Sequence, residues 1–144
     1  MTRRTLFAAA AVAACLVSFG ARAQNVQVHA TLNGSAEVPP VQTSATGALQ
    51  GTLDTKSNTL TYTLTYENLS GPAGAAHFHG PAGPGKNAGV QLPIPNPSSS
   101  PVKGTAKLTA QQAQELQAGQ WYVNVHTKAH GPGEIRGQVE AGAM

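Results

Sequence analysis

The sequence predicts an all-β domain of antiparallel strands packed as a sandwich, with one short helix. Three observations indicate this class. Short runs in which apolar and polar residues alternate are typical of half-buried strands, and several occur along the chain. Gly, Pro, Asn, Asp and Ser, the usual residues of turns, separate these runs. Only one segment has the end signals of a helix, whereas a parallel α/β fold needs a helix between successive strands.

Three strands are predicted in the first half of the chain. Apolar residues occupy every second position of 26–32, and turn residues follow at 33–35. The run 47–53 alternates in the same way, and a hairpin loop is expected at 54–58. The clearest strand is 59–66, because leucine and tyrosine fill one face and threonines fill the other, and all these residues except leucine favour strands.

The middle of the chain predicts shorter strands around one long loop. A short strand is expected at 75–79, and the glycine- and proline-rich segment 80–89 after it has to be irregular. The run 90–94 alternates, but Pro93 lacks the N–H that a central strand needs, so we expect an edge strand there. Another strand is predicted at 102–108.

One helix and two further strands complete the predicted fold. Thr109 is a good N-cap, Gln112 lies where a capping box needs it, and Gly119 suits the C-terminal cap. A strand at 121–126 follows, and 134–139 closes the chain. About eight strands at this spacing predict an immunoglobulin-like, Greek-key β-sandwich. The expected core contains Leu60, Leu64, Phe78, Trp121, Val123 and Val125.

The N-terminus predicts export. Two arginines precede an apolar run at 6–19 that is too short to span a bilayer, and 21–23 (Ala-Arg-Ala) is a pattern that signal peptidase cleaves. We therefore expect a signal peptide at 1–23, with cleavage before Gln24. The remaining chain, 24–144, is predicted to be one periplasmic or secreted domain without a transmembrane segment.

Two alternatives concern the export route and a lipid anchor. The segment 2–7, Thr-Arg-Arg-Thr-Leu-Phe, resembles a twin-arginine signal, although paired arginines are also ordinary charge in a signal peptide. The segment 12–15 resembles a lipoprotein box, which would place a lipidated Cys15 at the new N-terminus. Because the apolar run continues past Cys15 to a better cleavage site, cleavage before Gln24 is favoured.

Charge and cysteine content argue against several classes of protein. The signal carries three of the nine basic residues, so six remain against six acidic ones and the domain is formally neutral. It has no cluster of Lys or Arg and no set of stacking aromatic residues, so nothing indicates a nucleic-acid partner. The only cysteine, Cys15, lies in the signal, which leaves no disulfide, thiolate metal site or cysteine nucleophile in the domain.

Five segments resemble, in order, the motifs of the CHRD (chordin-type) domain family. They are Leu32–Pro40 (LNGSAEVPP), Leu60–Tyr66 (LTYTLTY), Ala76–Ala82 (AHFHGPA), Leu108–Thr127 (LT to YVNVHT) and Gly133–Gln138 (GEIRGQ). The resemblance extends over about 28–139. It implies a single exported domain, since many bacterial members are a signal peptide followed by one such domain. No general activity is established for these members, so the resemblance implies no particular ligand.

Three histidines form the most informative pattern for function. His77 and His79 are two apart in a predicted strand, so both project from one face while Phe78 points into the core. His126 shares the outer face of its own strand with Asn124. If the strands are neighbours, three imidazoles converge on a site that suits Cu(II) or Zn(II). Candidates for a further ligand or an orienting residue are Glu37, Asn124 and Glu134.

The same histidines have a second interpretation. Side chains in strands also tie down loops by hydrogen bonds to the backbone, and the loop 80–89 directly follows His79. In that case His77, His79 and His126 would stabilise the domain without binding a metal. The sequence leaves both interpretations open.

The sequence favours a module without catalytic activity. It has neither a Gly-x-Ser-x-Gly elbow nor a distinctive pair of acids, and 80–89 is not a phosphate-binding loop. We expect an exported binding or structural module whose partner is an extracytoplasmic protein, polymer or metal ion. The alternative is a periplasmic copper- or zinc-binding protein. A weaker alternative is a redox enzyme, because His-x-His in a β-sandwich is similar to part of the copper site of Cu/Zn superoxide dismutases, although their disulfide and zinc loop are missing here.

Overall fold

The computed structural model describes residues 24–142. The strands and helices are β1 Asn25–Asn33, a 3-10 turn Gly34–Ala36, β2 Thr46–Asp54, β3 Thr59–Glu67, β4 Ala73–His79, β5 Val90–Pro93, β6 Val102–Lys107, α1 Ala110–Gln117, β7 Tyr122–Thr127, β8 Ile135–Gln138 and β9 Glu140–Ala141. Every predicted strand is present, and β9 is an additional one. The predicted signal peptide at 1–23, with its cleavage site and Cys15, lies outside the described residues. Within them, no helix has the length and apolar character needed to cross a membrane.

The strands form one antiparallel sheet rather than the two sheets expected of a sandwich. Their order is β5-β4-β7-β8-β1-β2-β3-β6, and β9 pairs with β1. The sheet curls strongly into a half-barrel, so Tyr62 on β3 packs edge-on against Phe78 on β4, with ring centroids 5.2 Å apart, although four strands lie between β3 and β4. The predicted two-sheet sandwich is therefore not observed. The alternation of residues indicates which face of a strand is buried, but it does not indicate which strands are hydrogen-bonded neighbours.

The inner face of the curled sheet carries the core. All six residues predicted for the core are fully buried, and Leu60, Tyr62 and Leu64 of β3 line it while Thr61 and Thr65 on the opposite face are exposed. The proline-containing strand β5 lies at one edge of the sheet, as its sequence predicted. The all-β, antiparallel prediction with one short helix is therefore confirmed.

The helix begins and ends where its capping residues predicted. Thr109 Oγ1 accepts a 3.1 Å hydrogen bond from the backbone N–H of Gln112, and the Gln112 side chain accepts a 2.9 Å bond from the backbone N–H of Thr109. Gly119 follows the last turn with a φ of 71°, a conformation that suits glycine. Ala113 and Leu116 turn one side of the helix into the core.

Replacing Thr109 by alanine is expected to destabilise the domain by about 1 kcal/mol, because the cap hydrogen bond to Gln112 is lost at an exposed position. Urea denaturation measures the change. Thr109→Ser keeps the hydroxyl and should stay close to the wild-type protein. Equal losses in the two variants would show that the hydroxyl group contributes nothing.

Candidate metal site

β4 and β7 place the three predicted histidines on one outer surface. The two strands are neighbours, and His77 is directly opposite Asn124 in their register. His77 and His79 therefore share a face with Asn124 and His126, while Phe78 between them is fully buried on the inner face. One nitrogen from each imidazole lies within 4.8 Å of the others. The structure thus brings together all three histidines.

Two backbone carbonyls decide which nitrogen two of the rings present. Nδ1 of His79 lies 3.0 Å from Ala88 O, and Nδ1 of His126 lies 2.8 Å from Gly131 O. A carbonyl oxygen only accepts, so Nδ1 carries the proton in each ring, and in the neutral ring Nε2 keeps its lone pair. Metal-binding histidines have the same arrangement, in which the other ring N–H donates to a carbonyl or carboxylate.

His77 completes the cluster through its contact with His126. Nδ1 of His77 is 3.1 Å from Nε2 of His126, and the ring centroids are 4.9 Å apart. Because Nε2 of His126 is an acceptor, Nδ1 of His77 donates in this state. The two nitrogens are also close to the separation of about 3.3 Å that two ligands of a tetrahedral zinc ion have, so an ion in place of the shared proton could bind both.

Burial lowers the pKa of both histidines of β4. The neighbouring His126 and His79 lower the pKa of His77 further. For His79, hydrogen bonds to Ala88 and Asn124 oppose burial, while His126 and Arg136 reinforce it. Both rings therefore stay neutral to a lower pH than free histidine, and the neutral form is the one that coordinates a metal.

The loop 80–89 lies over the same surface and is held by Tyr122 and Arg136, a role that the sequence did not predict for either side chain. Tyr122 stacks on His79 with ring centroids 4.8 Å apart, and the guanidinium carbon of Arg136 lies 3.5 Å from the centre of the Tyr122 ring. Arg136 donates to acceptors in Gly83, Lys86 and Asn87. The alternation of β7 and β8 predicts that both side chains point outward. They are buried because the loop folds back over them. The contact between His79 and the backbone of Ala88 in this loop also supports the second interpretation, in which His79 ties down the loop.

Asn124 lies beside the histidine cluster, and Glu37 lies beside Asn124. Oδ1 of Asn124 is 3.0 Å from Nε2 of His79, and Asn124 is buried. Glu37 is also buried, which raises its pKa to about 7 against the opposing effects of Arg136, Asn124 and the backbone of Val38.

Glu134 was a candidate ligand or orienting residue, but its hydrogen bonds go to residues outside the histidine cluster. Its carboxylate is fully buried and accepts four hydrogen bonds of 2.7 to 3.0 Å, from the backbone and side chain of Ser70 and from the hydroxyls of Thr43 and Thr127. Burial by itself would raise its pKa, but these hydrogen bonds outweigh burial and lower it to about 2. Glu134 therefore joins three segments of the chain and orients none of the three histidines.

A comparison with known protein families identifies the domain to which these residues belong. The family model of the CHRD domain matches residues 28–139, a range that includes the three histidines and the strands that carry them. No curated protein and no solved structure matches the chain. The chain therefore belongs to the CHRD domain family.

Proposed function

We propose that this CHRD domain is a non-catalytic binding module for a copper or zinc ion, held by His77, His79 and His126. The supporting observation is the cluster of three imidazole nitrogens within 4.8 Å of one another. Imidazole suits Cu(II) and Zn(II), whereas Mg²⁺ and Ca²⁺ take oxygen ligands. In keeping with the pattern at 1–23, we also propose that the protein works outside the cytoplasm, in the periplasm or beyond it.

The tautomers of the rings assign the ligand atoms. Nε2 is the ligand atom of His79 and of His126, because a carbonyl holds the proton of Nδ1 in each ring. His77 contributes Nδ1, which already lies 3.1 Å from Nε2 of His126. Two ligands of a tetrahedral ion are about 3.3 Å apart, so the three rings, each with one nitrogen within 4.8 Å of the others, move closer together when the ion binds.

A second candidate function is purely structural. The hydrogen bond from His79 to Ala88 and the stacking of His79 on Tyr122 favour a role in which the histidine fixes the loop 80–89. In that case loss of the ring lowers the stability of the domain and changes no binding.

Cu(II) titrated into the purified protein at neutral pH is expected to bind with one equivalent in a calorimeter. The double variant His77→Ala/His79→Ala and the single variant His126→Ala should each weaken binding by about 100-fold or more, because each removes protein ligands. His29→Ala is the matched control, since its ring pairs with Glu140 at 3.6 Å and should leave the affinity unchanged.

Folded wild-type protein that binds neither Cu(II) nor Zn(II) stoichiometrically would rule out the metal proposal. A lower melting temperature in His79→Ala, together with no metal binding in the wild-type protein, would support the structural candidate.

A further inference from the structure

Two oxygen atoms flank the imidazole of His79, one at each nitrogen. Ala88 O lies 3.0 Å from Nδ1, and Oδ1 of Asn124 lies 3.0 Å from Nε2. Both oxygens accept hydrogen bonds, and a neutral imidazole has a single N–H, so it can satisfy only one of them. The contact between Nε2 and Oδ1 becomes favourable only when a proton or a metal ion lies between the two atoms.

Glu37 explains why Asn124 turns its oxygen toward His79. Oε1 of Glu37 is buried and has no hydrogen-bond partner among the residues that the structure describes. This oxygen and Nδ2 of Asn124 lie side by side against Gly133, where a Cβ would come within 2.3 Å of Oε1 and 2.8 Å of Nδ2. In this orientation the amide directs N–H groups toward the carboxylate, whereas the opposite orientation would set the amide oxygen against a carboxylate oxygen whenever Glu37 is ionised.

We propose that Oδ1 of Asn124 is the fourth ligand of the metal ion and that Glu37 is the positioning residue that holds the amide in the ligating orientation. This inference rests on the three-histidine site proposed above. In a tetragonal Cu(II) site, ligand distances of about 2.0–2.2 Å and a right angle between neighbouring nitrogen and oxygen ligands separate these atoms by about 2.9 Å. The observed separation of Oδ1 and Nε2 is 3.0 Å.

Three variants test the fourth ligand and its positioning residue: Asn124→Ala, Glu37→Gln, and the double variant Glu37→Gln/Asn124→Asp. The double variant exchanges the amide and the carboxylate, so an amide N–H group still faces a carboxylate, but from position 37 instead of position 124. A carboxylate oxygen then takes the position of Oδ1. Cu(II) is titrated into each purified protein, and electron paramagnetic resonance reports the ligands of the bound copper.

Asn124→Ala and Glu37→Gln are expected to bind Cu(II) about 10- to 100-fold more weakly than the wild-type protein. The nitrogen hyperfine pattern of three imidazoles should persist while the copper g values shift, because an oxygen ligand has changed. The double variant should recover most of the lost affinity. Glu67→Gln is the matched control, because it makes the same change from Glu to Gln at an exposed site. It should change neither the copper affinity nor the spectrum.

An unchanged affinity and copper spectrum in Asn124→Ala would overturn this inference and leave the three-histidine proposal intact. Failure of the folded wild-type protein to bind copper or zinc would overturn both. Thermal melts establish that each variant is folded. If Asn124→Ala does not fold, Glu37→Gln decides, and an affinity and spectrum equal to those of the wild-type protein would overturn the inference.

Discussion

Replacement of Val125 by aspartate is expected to unfold the domain at neutral pH. Val125 is fully buried on β7, which lies between β4 and β8 inside the sheet. An unpaired charge in such a position costs several kcal/mol, which is comparable to the whole stability of a small domain, about 5–15 kcal/mol. Circular dichroism and a thermal melt of the purified variant measure the effect.

Thr61→Asp is the matched control for Val125→Asp. Thr61 occupies the middle of β3, another interior strand, but its side chain is exposed on the outer face. The variant should therefore melt close to the wild-type protein. A cooperative, wild-type-like melt of Val125→Asp would mean that the inner and outer faces of β7 are assigned the wrong way round.

Glu134→Gln is expected to cost about 3 kcal/mol at neutral pH. The carboxylate accepts four hydrogen bonds, and the isosteric amide replaces one of its oxygens by an NH₂ group that faces donors. Because the substitution leaves no cavity, the loss reports the hydrogen bonds alone. Glu140→Gln, whose side chain is 72% exposed, should change the stability by less than about 0.5 kcal/mol.

The stability contributed by Glu134 depends on pH in a defined direction. Its folded-state pKa of about 2 lies below the ordinary value of 4.5, so the contribution is complete above pH 4.5 and is lost as the pH falls toward 2. A shift of this size corresponds to about 3 kcal/mol. Urea denaturation across this range should show the wild-type protein approaching Glu134→Gln in acid. A constant difference between the two would contradict the lowered pKa.

The local features of the fold could be predicted because each depends on neighbouring residues. The alternation of β3 fixes its inner face, and Thr109 with Gln112 fixes the start of the helix. The joining of all strands into one sheet could not be predicted in this way. Pairing of β1 with β8 brings Asn33 opposite Arg136, and no local pattern encodes a contact between residues so far apart in the chain.

The histidine cluster was also predictable in part. The spacing of His77 and His79 gives their common face, and the alternation of β7 puts His126 on the outer face of its strand. The pairing of β4 with β7 was only a condition of the prediction, and the structure supplies it. The burial of Tyr122 and Arg136 was not predictable, because it arises from the loop 80–89 folding back over the sheet. The hydrogen bonds of Glu134 to Thr43 and Ser70 could not be predicted either, since both donors come from distant segments.

β1 is the first strand of the described chain, yet it lies inside the sheet. Its neighbours are β2, which follows directly, and β8 with β9 at the other end of the described chain. As the chain emerges from its N-terminal end, one edge of β1 therefore stays without a partner until the last strands emerge, and pairing over such sequence distances is slow to form. The strands β1, β2, β3 and β6 can pair before 135–142 exist. The half of the sheet that carries the histidines cannot join them earlier, so a chain that stops before β8 would keep every histidine of the cluster and still lack the strand that connects the two halves of the sheet.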